Sequence, residues 1–364
     1  MHVIGSATVS ALYLFDVAEQ IDLDALRRLI GEAAASAQFT PRRGAPSYLQ
    51  YANPPVVVEG DVLQLGEFDG FRLRLKFFDY GVLSLALSRP FAGDWSDLVA
   101  ASQRYIENGP LEERAEACCR RVIDRFAPAM RGTRQRLLAE DYLVLAVTSL
   151  AGRPTAEQLV SSNGKEIAQI VRGEAQALSL QEQDEILKNR LSYFPDDLVV
   201  PTWNAAFVYD TETGVHAALE IFEFANSQLL EFRYYDELLD VELARIYAQL
   251  QQPHWWDSLF GRGYIRAAHQ LHSLFIDVNE ITDRTENALK MVGDIYAARL
   301  FHLTAARLGL APWKASVEDK LTTLNDIYRF AVEQVGIARG HFLELMIIVI
   351  LVFELVLVFM GILT

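Results

Sequence analysis

Cysteine is nearly absent: the 364 residues hold only Cys118 and Cys119, side by side in a helix-like stretch, LEERAEACCRRVIDRF. Adjacent cysteines make a poor structural disulfide, and a lone pair cannot supply the four ligands of a zinc site. Basic residues are also short, 33 Lys and Arg against 48 Asp and Glu, for a formal charge of −15. Nucleic-acid binding and electrostatic docking on anionic lipid both need clustered cations, so this balance argues against them. The N-terminus, MHVIGSATVSALYLFDVAEQ, lacks a basic lead and places Asp16 and Glu19 where a secretory signal would be apolar.

Linear catalytic patterns are missing as well. Ser161-Ser162-Asn163-Gly164-Lys165 contains a Gly-Lys pair but neither the earlier glycine nor the following Ser or Thr of a phosphate-binding loop. His269 and His272 have the spacing of two metal ligands on one helix, with Asp277 and Glu280 one or two turns on, yet the pattern fixes no third ligand. The acid pairs Glu112-Glu113 and Asp196-Asp197 sit among 48 acids and read as solvated surface. No catalytic residue, cofactor or metal is therefore expected.

What the chain does have is apolar content. A 51% hydrophobic, 22% charged composition belongs to a folded protein. The C-terminal segment, HFLELMIIVILVFELVLVFMGILT, is apolar from Leu345 to Leu363 except for Glu354. A helix over 342–363 would be about 33 Å long, against a hydrocarbon core of about 30 Å. The expectation is a single transmembrane span over 341–364, tail-anchored in the cell (inner) membrane. Arg329, Arg339 and His341 before it would keep the N-terminal part cytoplasmic.

Upstream, two stretches of similar order suggest α+β units over 1–135 and 136–252. The first reads as a strand over 9–17, a helix over 23–35 capped by Asp22, a strand over 55–59, the hairpin FRLRLKFFDYGVLSLALS and a helix over 95–126. The second reads as a strand over 141–150, a helix over 155–177 capped by Thr155, a strand over 198–209, the hairpin HAALEIFEFANSQLLEFR and a helix over 236–251. The echo between the hairpins predicts tandem ferredoxin-like α+β halves. Over 253–340 the period becomes helical and predicts a long antiparallel helical hairpin. Its second arm carries Val317, Leu321, Leu324, Tyr328, Ala331, Val335, Phe342 and Leu345 in 4-3 spacing directly into the span, after a start at Ser316. Glu354 then falls on the opposite face, where it either meets another helix or is protonated. Trp255 and Trp256 are candidates for the membrane surface or for packing between the α+β part and the hairpin.

The run Leu343-Glu344-Leu345-Met346-Ile347-Ile348-Val349-Ile350-Leu351-Val352-Phe353-Glu354 resembles the ending of the RMD1/sif2 family (DUF155), in which a second Glu follows ten residues after the first, as Glu354 follows Glu344. KLTTLNDIYRFAVEQVG is similar to that family's long amphipathic helix, and YLFDV and FFDYGVL to its N-terminal strands. The resemblance implies a membrane-anchored, non-enzymatic, self-associating protein; eukaryotic relatives sit on the mitochondrial inner membrane and support mitochondrial translation. The resulting expectation is a scaffold that contacts membrane lipid, forms a homo-oligomer through its C-terminal helices and presents an α+β module to an unknown cytoplasmic protein partner. The alternative is a membrane-bound enzyme or small-ligand sensor with a pocket between the two halves.

Overall fold

The computed structural model describes residues 2–31, 53–59, 68, 70–106, 108–251 and 295–359, with backbone only at 249–251, 331, 332, 334–339, 341, 342 and 359. The chain divides into two units, Met1–Tyr234 with Glu286–Pro312, and Tyr235–Thr285 with Trp313–Thr364.

The first unit is organised by one long strand. β1 (Ile4–Asp16) is apolar at almost every position because both of its faces are covered. Val9, Ala11, Tyr13 and Phe15 enter the main core, whereas Ser10, Leu12, Leu14 and Asp16 alternate to the other face. Along the chain follow β2 (Gln20–Ile21), α1 (Leu23–Ile30), β3 (Val56–Glu59), β4 (Arg72–Phe77), β5 (Val82–Phe91), α2 (Trp95–Tyr105), α3 (Gly109–Phe126), β6 (Met130–Arg131), β7 (Leu138–Leu150), α4 (Ala156–Arg172), α5 (Leu180–Lys188), β8 (Leu198–Pro201), β9 (Ala205–Tyr209) and α6 (Glu212–Gln251). The sheet order is β3-β4-β5-β1-β7-β9-β8, with β2 and β6 forming a separate pair. Helices α1 to α5 pack on the core face of the sheet.

The expected caps are present. The Asp22 carboxylate accepts from the amides of Asp24 and Ala25, and Thr155 forms a capping box with Gln158. The β4–β5 hairpin is also as expected, and Gly81 in its turn needs φ +94° with Cα close to the Ala18 carbonyl. The predicted helix over 95–126 is two helices, interrupted where Asn108 caps a new start and Pro110 occupies its first turn. The predicted helix over 155–177 stops at Arg172, because Gly173 takes a left-handed cap.

The tandem ferredoxin-like halves are not what the sheet shows. All seven strands form one sheet, with β1 hydrogen-bonded directly to β7 from one end to the other. In the first half β1 pairs antiparallel with β5; in the second β7 pairs parallel with β9, through a crossover made of α4, α5 and β8. The decisive correction is the second hairpin: HAALEIFEFANSQLLEFR lies within α6, a continuous helix. Its residues 221–232 are buried on every side, since Phe222 packs against Tyr142 of β7 and Phe224 against Phe301 of α7 (Ile295–Leu308). A helix covered all round loses the apolar stripe that would have announced it.

α7 ends at Gly309 (φ +70°), and α8 (Leu310–Phe359) begins at once, so Ser316 lies inside a helix and does not cap one. The first arm of the predicted helical hairpin lies outside the described residues. In the second unit the end of α6 runs beside α8: Ser316 donates to Asp236 at 2.6 Å, and Lys320 pairs with Asp236 at 2.7 Å and Asp240 at 2.6 Å. Leu239, Ile246, Val317, Leu321 and Leu324 are buried there.

Among the described residues no helix is long and apolar enough to cross a membrane. The apolar part of α8 also carries Glu344 and Glu354. The expected single-pass, tail-anchored placement in the inner membrane is corrected on that ground.

Candidate functional site

Of the residues singled out from sequence, Leu324 is buried and Tyr328 half-buried, continuing the apolar row begun by Val317 and Leu321. Leu345, Glu344 and Glu354 are exposed on α8. Ala331, Val335 and Phe342 lie on the same helix, their side chains outside the described residues, as are Trp255, Trp256, His269 and His272 altogether. From 343 to 358 thirteen large apolar side chains stand 45–62% exposed, Phe353 the most at 62%.

The chemistry that sequence reasoning missed lies between the sheet and α6. Strand β4 alternates Arg72, Arg74 and Lys76 onto the face that α6 covers. Lys76, only 2% exposed, donates to Glu223 at 2.9 Å and also pairs with Glu220. Arg74 meets Glu223 at 3.0 Å and Glu220 at 3.8 Å. The other oxygen of Glu223 accepts from the Ser84 hydroxyl of β5 at 2.9 Å. Burial alone would raise the Glu223 carboxyl; the charges of Arg74 and Lys76, with hydrogen bonds from Lys76 and Ser84, outweigh it and bring it down to about 2. Burial lowers the pKa of His216, one turn before Glu220, against the pull of that carboxylate.

Further ties follow along the same helix. The hydroxyls of Tyr80 and Ser227 are 2.7 Å apart, and Arg233 pairs with Glu140 of β7. Arg134 lies 3.9 Å from the centre of the Tyr234 ring while its Nε donates to Asp16 at 3.0 Å. Asp16 is buried, its second oxygen has no hydrogen-bond partner, and desolvation pushes its pKa up to about 6 despite Arg134.

Two cations and two carboxylates make the Arg74, Lys76, Glu220 and Glu223 cluster neutral, and each group is already paired. Such a closed set fixes the register of α6 on the sheet and leaves no charge over for a substrate. Among the described residues no group of three His, Cys, Asp or Glu could hold a metal. Burial pushes the pKa of both cysteine thiols up, away from the thiolate form. Cavities of about 230 Å³ beside Asp22 and Asp79 and about 100 Å³ beside Trp203 fall below the roughly 300–1,000 Å³ of small-molecule sites.

Comparison with known proteins locates the chain. The family described as "Uncharacterized protein MJ0711, N-terminal domain" matches residues 6–216. The chain belongs to that family. The uncharacterized protein MJ0711 of Methanocaldococcus jannaschii is 24% identical over 204 residues, 55% of this chain and 61% of the relative, so the match spans about three-fifths of the relative's length. No solved structure matches. The MJ0711 N-terminal domain match takes in Arg74, Lys76 and Ser84 and stops four residues before Glu220.

Proposed function

We propose that this member of the MJ0711 family is a non-catalytic assembly protein that self-associates through α8 and presents its α+β unit to a protein partner. The observation that carries the reading is the apolar surface of α8 over 343–358. Thirteen half-exposed large side chains amount to on the order of 1,000 Å² of apolar area. That exceeds the roughly 300–600 Å² of the largest patch on a typical monomer and the about 800 Å² per partner of a standard interface. Water does not keep such a surface bare. The closed, neutral cluster under α6 supports a scaffold more than an enzyme, because it offers no free acid, base or nucleophile. The resemblance of residues 343–354 to the ending of the RMD1/sif2 family points the same way.

The test is light scattering after size exclusion, in one mild detergent, on the full chain and on a chain ending at Gly340. The full chain should run as an oligomer and the shortened one as a monomer. The same number of copies in both would refute assembly through α8.

A further inference from the structure

We infer that the α8 assembly holds three or more copies of this chain, with apolar contacts on two opposite sides of each helix. The inference rests on the self-association proposed above and adds how the copies must pack. Residues 345–353 are nine consecutive apolar side chains, each 45–62% exposed. At 3.6 residues per turn they point in every direction around the helix axis. A two-stranded contact buries one stripe of each helix, a little over a quarter of its circumference.

The front stripe is Leu345, Val349, Val352 and Val356, the continuation of the 4-3 row of Val317, Leu321 and Leu324. If a single partner covered it, Ile347, Leu351 and Val358 on the opposite side would stay bare at 57%, 57% and 59% exposure. Those three are spaced by four and seven residues and form a second stripe of their own. Two apolar stripes on opposite sides of one helix need a neighbour on each side. A pair of helices gives each only one neighbour, so a neighbour on both sides requires at least three copies. Glu344 and Glu354 also fall on the back half of the helix, beside this second stripe, and are its only charged residues over 343–358.

Native mass spectrometry of the full chain released from mild detergent decides the matter, with Val349→Asp and Leu351→Asp as the variants and far-UV circular dichroism to check that each remains folded. A bundle gives a mass of at least three chains, and either substitution lowers it. A dimer that Val349→Asp breaks and Leu351→Asp leaves intact would overturn the bundle and leave self-association standing. A monomer whose apolar helix inserts into phosphatidylcholine vesicles would overturn both, since lipid and not a second copy would then cover α8.

Discussion

Replacing Glu223 by Gln keeps the shape of the side chain and removes its charge, leaving Arg74 and Lys76 with Glu220 as their only carboxylate in the cluster. Glu223 is fully buried, so the loss is not softened by solvent. Its carboxyl is held at about 2 against an ordinary value of 4.5. At about 1.4 kcal/mol per unit this corresponds to about 3 kcal/mol of native-state stabilisation. Breaking a buried ion pair by removing one partner costs about 3–5 kcal/mol by mutational experience, which agrees. Because the folded-state value is depressed, this stabilisation is present above about pH 5 and is lost as the pH falls toward 2. The gap between the native chain and Glu223→Gln should thus be about 3 kcal/mol at pH 7 and should shrink on acidification. Urea unfolding followed by far-UV circular dichroism, on the full chain in mild detergent, reads the gap. The double variant Lys76→Met with Glu223→Leu leaves Arg74 paired with Glu220 and fills the space with apolar atoms, so it should recover most of the loss. A single variant within about 0.5 kcal/mol of the native chain at pH 7, or a double variant less stable than the single, would refute the cluster as the clamp of α6.

Asp16 carries the opposite sign. Its folded-state value is raised to about 6, so the protonated carboxyl favours folding, and about 3 kcal/mol from this group is lost as the pH rises from about 4 through 6. The stability of the native chain minus that of Asp16→Asn, measured by urea titration, should fall by about that amount between pH 4 and pH 7; a flat difference would mean that Asp16 is not buried as described. Gly81→Ala puts a Cβ 1.8 Å from the Ala18 carbonyl oxygen at a backbone angle that disfavours side chains. It should cost at least about 3 kcal/mol, read as a lowered melting temperature, whereas Gly70→Ala, also at positive φ but in open space, should cost only about 1.

Part of this architecture was legible in the residues and part was not, and the division has physical causes. FRLRLKFFDYGVLSLALS shows strict alternation around a glycine that only a tight turn requires, and the two strands pair with each other across that turn. Asp22 and Thr155 announce their helices because a cap acts within three residues. HAALEIFEFANSQLLEFR was misread because covered faces on two sides fill both the strand-like and helix-like positions with apolar residues. The contrary signal was the lack of any Gly or Pro between Gly214 and Pro253, which a hairpin turn would want and a 40-residue helix forbids. The charged cluster had no local signature at all: Arg74 and Lys76 meet carboxylates 144 to 149 positions away, and alternating bases on a strand ordinarily face water.

That long-range pairing also bears on where the folding unit ends. The family match closes at residue 216, inside the first turns of α6, whereas the second face of the sheet is closed only by the residues that follow. Leu12, Leu14, Tyr142, Val144, Ala146 and Val208 lie on that face and are at most 1% exposed in the whole chain. Five large or medium apolar side chains and one alanine uncovered together forfeit on the order of 6–10 kcal/mol, comparable with the whole stability of a domain. The same cut strips Arg74 and Lys76 of both carboxylates. A piece ending at His216 should therefore bind a hydrophobic dye and unfold without a cooperative transition. A piece of that length with a sharp thermal transition would show that α6 is an accessory to the sheet and not the wall of its second core.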